Sequence, residues 1–78
     1  MVEKLLNDIK NDIKGKIKKE DINEENIFNL HFGICLYIRN KYLYKNMDLI
    51  PELEKMFNID NIDDLSFLIL NYFKNDLD

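Results

Sequence analysis

An all-helical fold is the class this sequence predicts, and three observations carry it. Apolar residues recur at three- and four-residue spacing in four successive segments. One proline and two glycines leave few places where a helix must stop. No segment alternates apolar and polar residues with the two-residue period of a half-buried strand. The expected architecture is a single domain over residues 1–78, a compact bundle of about four helices around a central second helix.

The first helix is expected from Val2 to about Lys19. Leu5, Ile9, Ile13 and Ile17 fall four apart, flanked by Val2 and Leu6, while the other faces carry Lys, Asp and Asn. Gly15 costs about 1 kcal/mol relative to alanine in a helix interior, so a bend or frayed end is expected there. Glu20 to Glu24 form a break. Asn23 is a fitting N-cap, and Glu24 and Glu25 place negative charge at the positive end of the next helix dipole.

The second helix then runs to Asn40 or Lys41, with Asn40 capping its end. Ile27, Leu30, Ile34 and Ile38 make one stripe, and Phe28, Phe32, Cys35 and Leu36 carry the apolar surface around the cylinder. A helix apolar over that much of its circumference is expected at the centre, covered on more than one side. Gly33 would let another helix approach closely.

Residues 41–47 form a connection with exposed aromatics. Asp48 is the expected N-cap of a third helix over roughly 49–57, where Pro51 falls in the first turn and removes no internal hydrogen bond. That helix would bury Leu49, Leu53, Met56 and Phe57, and Asn58 would close it in the left-handed conformation. After a turn, Asp63 is expected to cap a fourth helix to about Asn75. Leu65, Leu68, Ile69, Tyr72 and Phe73 would face inward, with Ser66 at the third position.

Size and composition bound the rest. A chain of 78 residues buries only about 60–65% of the surface its unfolded form exposes. Its 46% hydrophobic content, including eleven Ile, five Phe and four Tyr, argues against disorder. The lone Cys35 cannot form an internal disulfide, which suits a reducing cytoplasm. Lys10, Asp12 and Lys14 interrupt any secretory leader, and the longest apolar run, Ile34 to Ile38, is too short to span a membrane. A cytoplasmic protein without a membrane partner is expected.

The net charge of −4 is unevenly spread: +2 over residues 1–20, 0 over 21–47 and −6 over 48–78. Only the first segment, with Lys10, Lys14, Lys16, Lys18 and Lys19, offers the basic face a nucleic-acid binder needs. The acidic second half would repel phosphates and would steer toward a basic partner surface. Simple solubility is the alternative use of those acids.

Few residues invite chemistry. His31 has no second or third ligand at metal-site spacing, and is read as a half-buried histidine bonded to a neighbouring backbone or carboxylate group. Cys35 sits among apolar residues that keep its thiol protonated, and no third group orients a Cys35–His31 pair. Arg39 is the only arginine; it lies where the helix dipole favours a cation, and its fork could clamp Asp63 or Asp64. The acids Asp60, Asp63 and Asp64 lack the glycine and terminal glutamate of a calcium loop. No catalytic residue, metal site or cofactor is expected, and the protein is read as a non-enzyme.

Tyr37, Tyr42, Tyr44 and Met47 are harder to place in a small core. Aromatics and methionine on an accessible surface are typical of interfaces, and lids over the core are the other use. With Asp48, Glu52, Asp60 and Asp64 they make the expected partner-binding set, while Arg39, Asp63 and His31 make a structural tie.

The run His31-Phe32-Gly33-Ile34-Cys35-Leu36-Tyr37-Ile38-Arg39-Asn40, followed by Asp63-Asp64-Leu65-Ser66 and then Ile69 and Tyr72, resembles the signature of an uncharacterised family of small bacterial helical domains. The resemblance covers roughly residues 22–77. Ile62 stands where a proline is expected, Asn58 for a glycine, and Leu43-Tyr44 where a Gly-Leu-Trp-like turn is usual. It implies a compact helical domain with an Arg39–Asp63/Asp64 tie, and it transfers no mechanism. Such domains occur beside bacterial toxins and mobile elements, which points by association to an inhibitor.

The expected function is stoichiometric inhibition of a nucleic-acid-handling effector with a basic surface, as a toxin immunity protein or a phage anti-defence protein such as an anti-CRISPR. The alternative is a homodimeric structural or regulatory module that buries the aromatic patch.

Overall fold

The computed structural model describes residues 1–77. Its regular elements are α1 (Val2–Ile13), α2 (Ile27–Phe32), α3 (Ile34–Ile38), α4 (Ile50–Phe57) and α5 (Ile62–Tyr72). Two 3₁₀ turns, Lys19–Asp21 and Glu24–Asn26, precede α2, one, Met47–Leu49, precedes α4 and one, Lys74–Asp76, follows α5, and a π-helical turn, Arg39–Leu43, continues α3. The described residues contain helices and turns and no strand, so the fold is all-α. The Cα radius of gyration, 11.5 Å, matches the scaling for a folded chain of this length, which gives about 11.5 Å.

α1 buries Val2, Leu5, Leu6, Ile9 and Ile13, the stripe its spacing marks out. It ends at Ile13 rather than near Lys19. The amides of Lys16 and Ile17 both bond to the Ile13 carbonyl, tightening the chain into a turn at Gly15, where the missing side chain removes helix preference. Ile17 and Ile22 still fold back onto the core. Asn23 caps as expected: its Oδ1 accepts from the Asn26 amide at 3.0 Å.

The expected second helix is divided. At Gly33 the backbone turns to φ −110° and ψ −102°, ending α2 and starting α3. A Cβ there would lie 3.0 Å from the Asn29 carbonyl oxygen, so glycine accommodates its own preceding turn rather than a neighbouring helix. α2 buries only Leu30 and α3 buries Cys35 and Ile38. The centre of the fold is therefore shared: α5 packs against α2, α3, α4 and the π turn, and buries Leu65, Ser66, Ile69 and Leu70.

Three caps differ from expectation, the first being Asn40, which lies inside the π turn Arg39–Leu43 rather than closing a helix. The helix at Asp63 is capped by Asn61, whose side chain accepts from the Asp63 and Asp64 amides at 2.8 and 3.3 Å. An asparagine in extended conformation two residues earlier offers the same acceptor without an added charge. Asp48 lies inside the 3₁₀ turn Met47–Leu49, and Leu49 occupies the cap position of α4. Asn58 closes α4 in the left-handed conformation, φ 55°. Met56 and Tyr72, expected inside, are more than half exposed, because Leu53, Phe57, Ile69 and Phe73 already fill the space between α4, α5 and α1.

Candidate functional site

Arg39 is buried, and each of its three nitrogens has a partner. Nη1 donates to Ser66 Oγ at 3.0 Å, Nη2 donates to the His31 carbonyl at 3.1 Å, and Nε lies 3.3 Å from Asp63 Oδ1. Ser66 Oγ in turn donates to the Asp63 carbonyl. The break at Gly33 explains part of this. It ends α2 and leaves the His31 carbonyl without a helical partner, and the guanidinium fills that vacancy. Arg39 thus ties the end of α2 to the first turn of α5 and keeps no donor nitrogen for a ligand. The His31 ring stacks on Phe67 with centroids 5.6 Å apart rather than answering a carboxylate. Cys35 is fully buried, and burial pushes its thiol up to about 11, so it is neutral at physiological pH.

The expected partner-binding set is split in two ways. Tyr37 and Tyr42 are half-buried, and both hydroxyls donate to one carboxylate oxygen, Asp12 Oδ2, the first at 2.7 Å. Lys41 Nζ reaches the same oxygen at 2.9 Å, and Lys16 pairs with Asp12 Oδ1. Asp12 is only 12% exposed, yet its four donors hold its carboxyl well below the usual carboxylate range, with Lys16 the largest cause and Tyr42 next. Burial followed by the Asp12 bond pushes the Tyr42 hydroxyl up to about 12. This cluster fastens α1 to the π turn. No residue of it lies four positions from another except Asp12–Lys16 and Tyr37–Lys41, so helical spacing alone could not have joined them.

Tyr44, Met47, Asp48, Glu52, Asp60 and Asp64 are exposed. Tyr44, Met47, Asp48 and Glu52 gather at the start of α4. Asp60 and Asp64 lie beyond its far end, separated by the length of α4, about 12 Å at 1.5 Å per residue.

The surface that packing leaves open lies elsewhere. Phe28 is 71% exposed and Phe32 67%, and their rings meet at 4.9 Å. Leu36 and Ile27 extend the same surface at 38% and 39% exposure. Phe28 and Phe32 are four apart on one side of α2, and Leu36 follows on α3 after the Gly33 break. Glu24 and Glu25, both exposed, sit one turn before Phe28. The sequence signal was present, since this segment has more apolar positions than one face can bury. A chain this small has too few helices to cover the remainder.

No group of three metal-ligating side chains occurs among the described residues, and none of their helices is long and apolar enough to cross a membrane. The model of a domain-of-unknown-function family, DUF6794, matches residues 2–77. The chain belongs to that family, and the match takes in α1 as well as the segment that carries the resemblance above. No curated protein and no solved structure matches it.

Proposed function

We propose that this protein works by binding another protein, with the strip Phe28, Phe32 and Leu36 as its contact surface. The paired phenylalanines carry the reading. Small domains bury their large aromatics first, and moving each of these from its present exposure into an interface would contribute about 1–2 kcal/mol. Aromatic side chains, phenylalanine among them, are enriched at protein interfaces relative to the rest of the surface. The groups that could have carried catalysis are otherwise engaged: Cys35 is buried and neutral, and Arg39 is spent on Ser66, His31 and Asp63.

Within that reading, the protein is a stoichiometric inhibitor of a nucleic-acid-handling effector, serving toxin immunity or anti-defence in a bacterial or phage setting, and acting in the cytoplasm. Exposed acids at Asp48, Glu52, Asp60 and Asp64 support a basic partner, which they would steer into encounter. The test is co-purification of the tagged protein from the cells that encode it. The expected result is a partner retained at equimolar amount by the wild type and lost with the Phe28→Ser/Phe32→Ser double variant, whose helical circular dichroism is unchanged. Equal retention by the double variant would overturn the assignment of the surface.

A further inference from the structure

The strip has a shape and a charge setting that restrict what can occupy it. Phe28 and Phe32 meet on α2, and Leu36 stands exposed on α3 beyond the break at Gly33. The two exposed rings project from α2 as knobs of the kind that fit between side-chain rows of another helix. No strand exists among the described residues, so there is no sheet edge to which an extended peptide could add.

The stretch of chain that carries the strip is of one sign. Between Lys19 and Arg39 the charged residues are Glu20, Asp21, Glu24 and Glu25, with no lysine or arginine. All four are exposed. The one buried cation nearby, Arg39, is engaged by Asp63, Ser66 and the His31 carbonyl. Glu24 and Glu25 lie in the 3₁₀ turn Glu24–Asn26 that leads directly into α2, one turn before Phe28. A second copy of the chain would bring four more acids and no exposed cation from this segment.

We infer that the strip receives a basic amphipathic helix of the partner, its apolar stripe packed on Phe28, Phe32 and Leu36 and its lysines or arginines facing Glu24 and Glu25. This rests on the strip being the contact surface, and it adds the chemistry and form of the occupant.

The test uses a fluorescent synthetic peptide of about 14 residues with leucines at helical i, i+3, i+4 and i+7 spacing and lysines elsewhere. Matched peptides carry glutamine or glutamate in place of lysine. Binding to the full chain is followed by anisotropy, and the site is mapped by backbone amide NMR shifts. The leucine–lysine peptide is expected to bind and to shift residues 24–36, while the glutamate peptide does not bind. Phe28→Ser/Phe32→Ser should weaken binding at least about tenfold. Glu24→Lys/Glu25→Lys should weaken it about tenfold at low salt, a difference that fades by roughly 0.5 M salt.

Binding of the glutamine peptide to the same residues with equal affinity would overturn the basic occupant and leave the contact surface standing. Binding of the lysine peptide that ignores both phenylalanines, or that shifts residues 60–64 instead, would overturn the surface and the occupant together. Failure of every peptide to bind, or self-association of the chain through residues 24–36, would overturn the occupant.

Discussion

Replacing Asp12 by asparagine should unfold this protein at markedly lower temperature, although Asp12 sits in the last turn of α1 and outside the apolar core. One carboxylate takes hydrogen bonds from Tyr37, Tyr42, Lys41 and Lys16, and so joins α1 to the π turn. An asparagine turned with its oxygen at the Oδ2 position still accepts from both tyrosine hydroxyls, and its NH₂ faces Lys16 alone; what the cluster loses is the negative charge. Hydrogen bonds to a charged acceptor contribute about 1.5–3 kcal/mol each and neutral ones about 0.5–1.5 kcal/mol, so weakening both tyrosine bonds costs about 2 kcal/mol. The lysine ammonium groups remain in water, where screening leaves the tyrosine bonds to set the magnitude. For a domain of this size about 2 kcal/mol corresponds to roughly 8–16 °C in Tm.

Thermal melts followed by circular dichroism, at several pH values, provide the assay. The folded Asp12 carboxyl lies below its unfolded value of about 3.9, so its contribution is fully present above that pH and is lost as pH falls toward the lower folded value. The gap between wild type and Asp12→Asn should therefore be widest near pH 6–7 and narrow steadily below about pH 4. A variant melting within about 2 °C of wild type, or a gap unchanged at about pH 2, would refute the assignment of the cluster as a charged tie.

Other consequences follow from the same geometry. Ser66→Ala leaves a buried guanidinium nitrogen without its acceptor and should cost about 1–3 kcal/mol in urea unfolding, whereas Asp64→Ala, at an exposed site, should stay within about 0.5 kcal/mol. Stability should also fall at high pH. Tyr42 is raised to about 12 when folded against about 10 unfolded, so its stabilisation holds below about pH 10 and disappears as pH rises toward 12, as absorbance of ionised tyrosine during alkaline unfolding will report. Cys35 should resist a thiol reagent at neutral pH in the native protein and react at once in denaturant, because it is both buried and neutral. Phe28→Ser/Phe32→Ser should change folding stability by less than about 0.5 kcal/mol per site, since neither ring fills the core.

The helices were legible in the sequence where one period ruled, and the α1 stripe and the core positions of α5 show this. Leu5, Ile9 and Ile13, then Leu65 and Ile69, all lie where four-residue spacing puts them. Periodicity misjudged how far such a stripe extends. Ile17 continues the α1 spacing, yet the chain has already turned at Gly15, where helix preference is lowest, and Ile17 reaches the core from that turn. Periodicity also cannot count neighbours. Phe28 and Phe32 look like core when the segment is taken alone, and only the number of helices available shows that they are left in water. The Asp12 cluster joins residues 25 to 30 positions apart, and that distance is set by tertiary packing. The Arg39 tie was more accessible, since a lone arginine at a helix end and a run of acids at another helix start are complementary charges.

The binding surface can be tested most directly with a photo-crosslinking phenylalanine analogue placed singly at Phe28, Phe32, Lys55 and Asn75 in the cells that encode the protein. The account predicts one discrete adduct of constant mass from positions 28 and 32, its partner peptide rich in lysine or arginine, and none from positions 55 and 75. Adducts from positions 55 or 75 with none from 28 and 32 would contradict it.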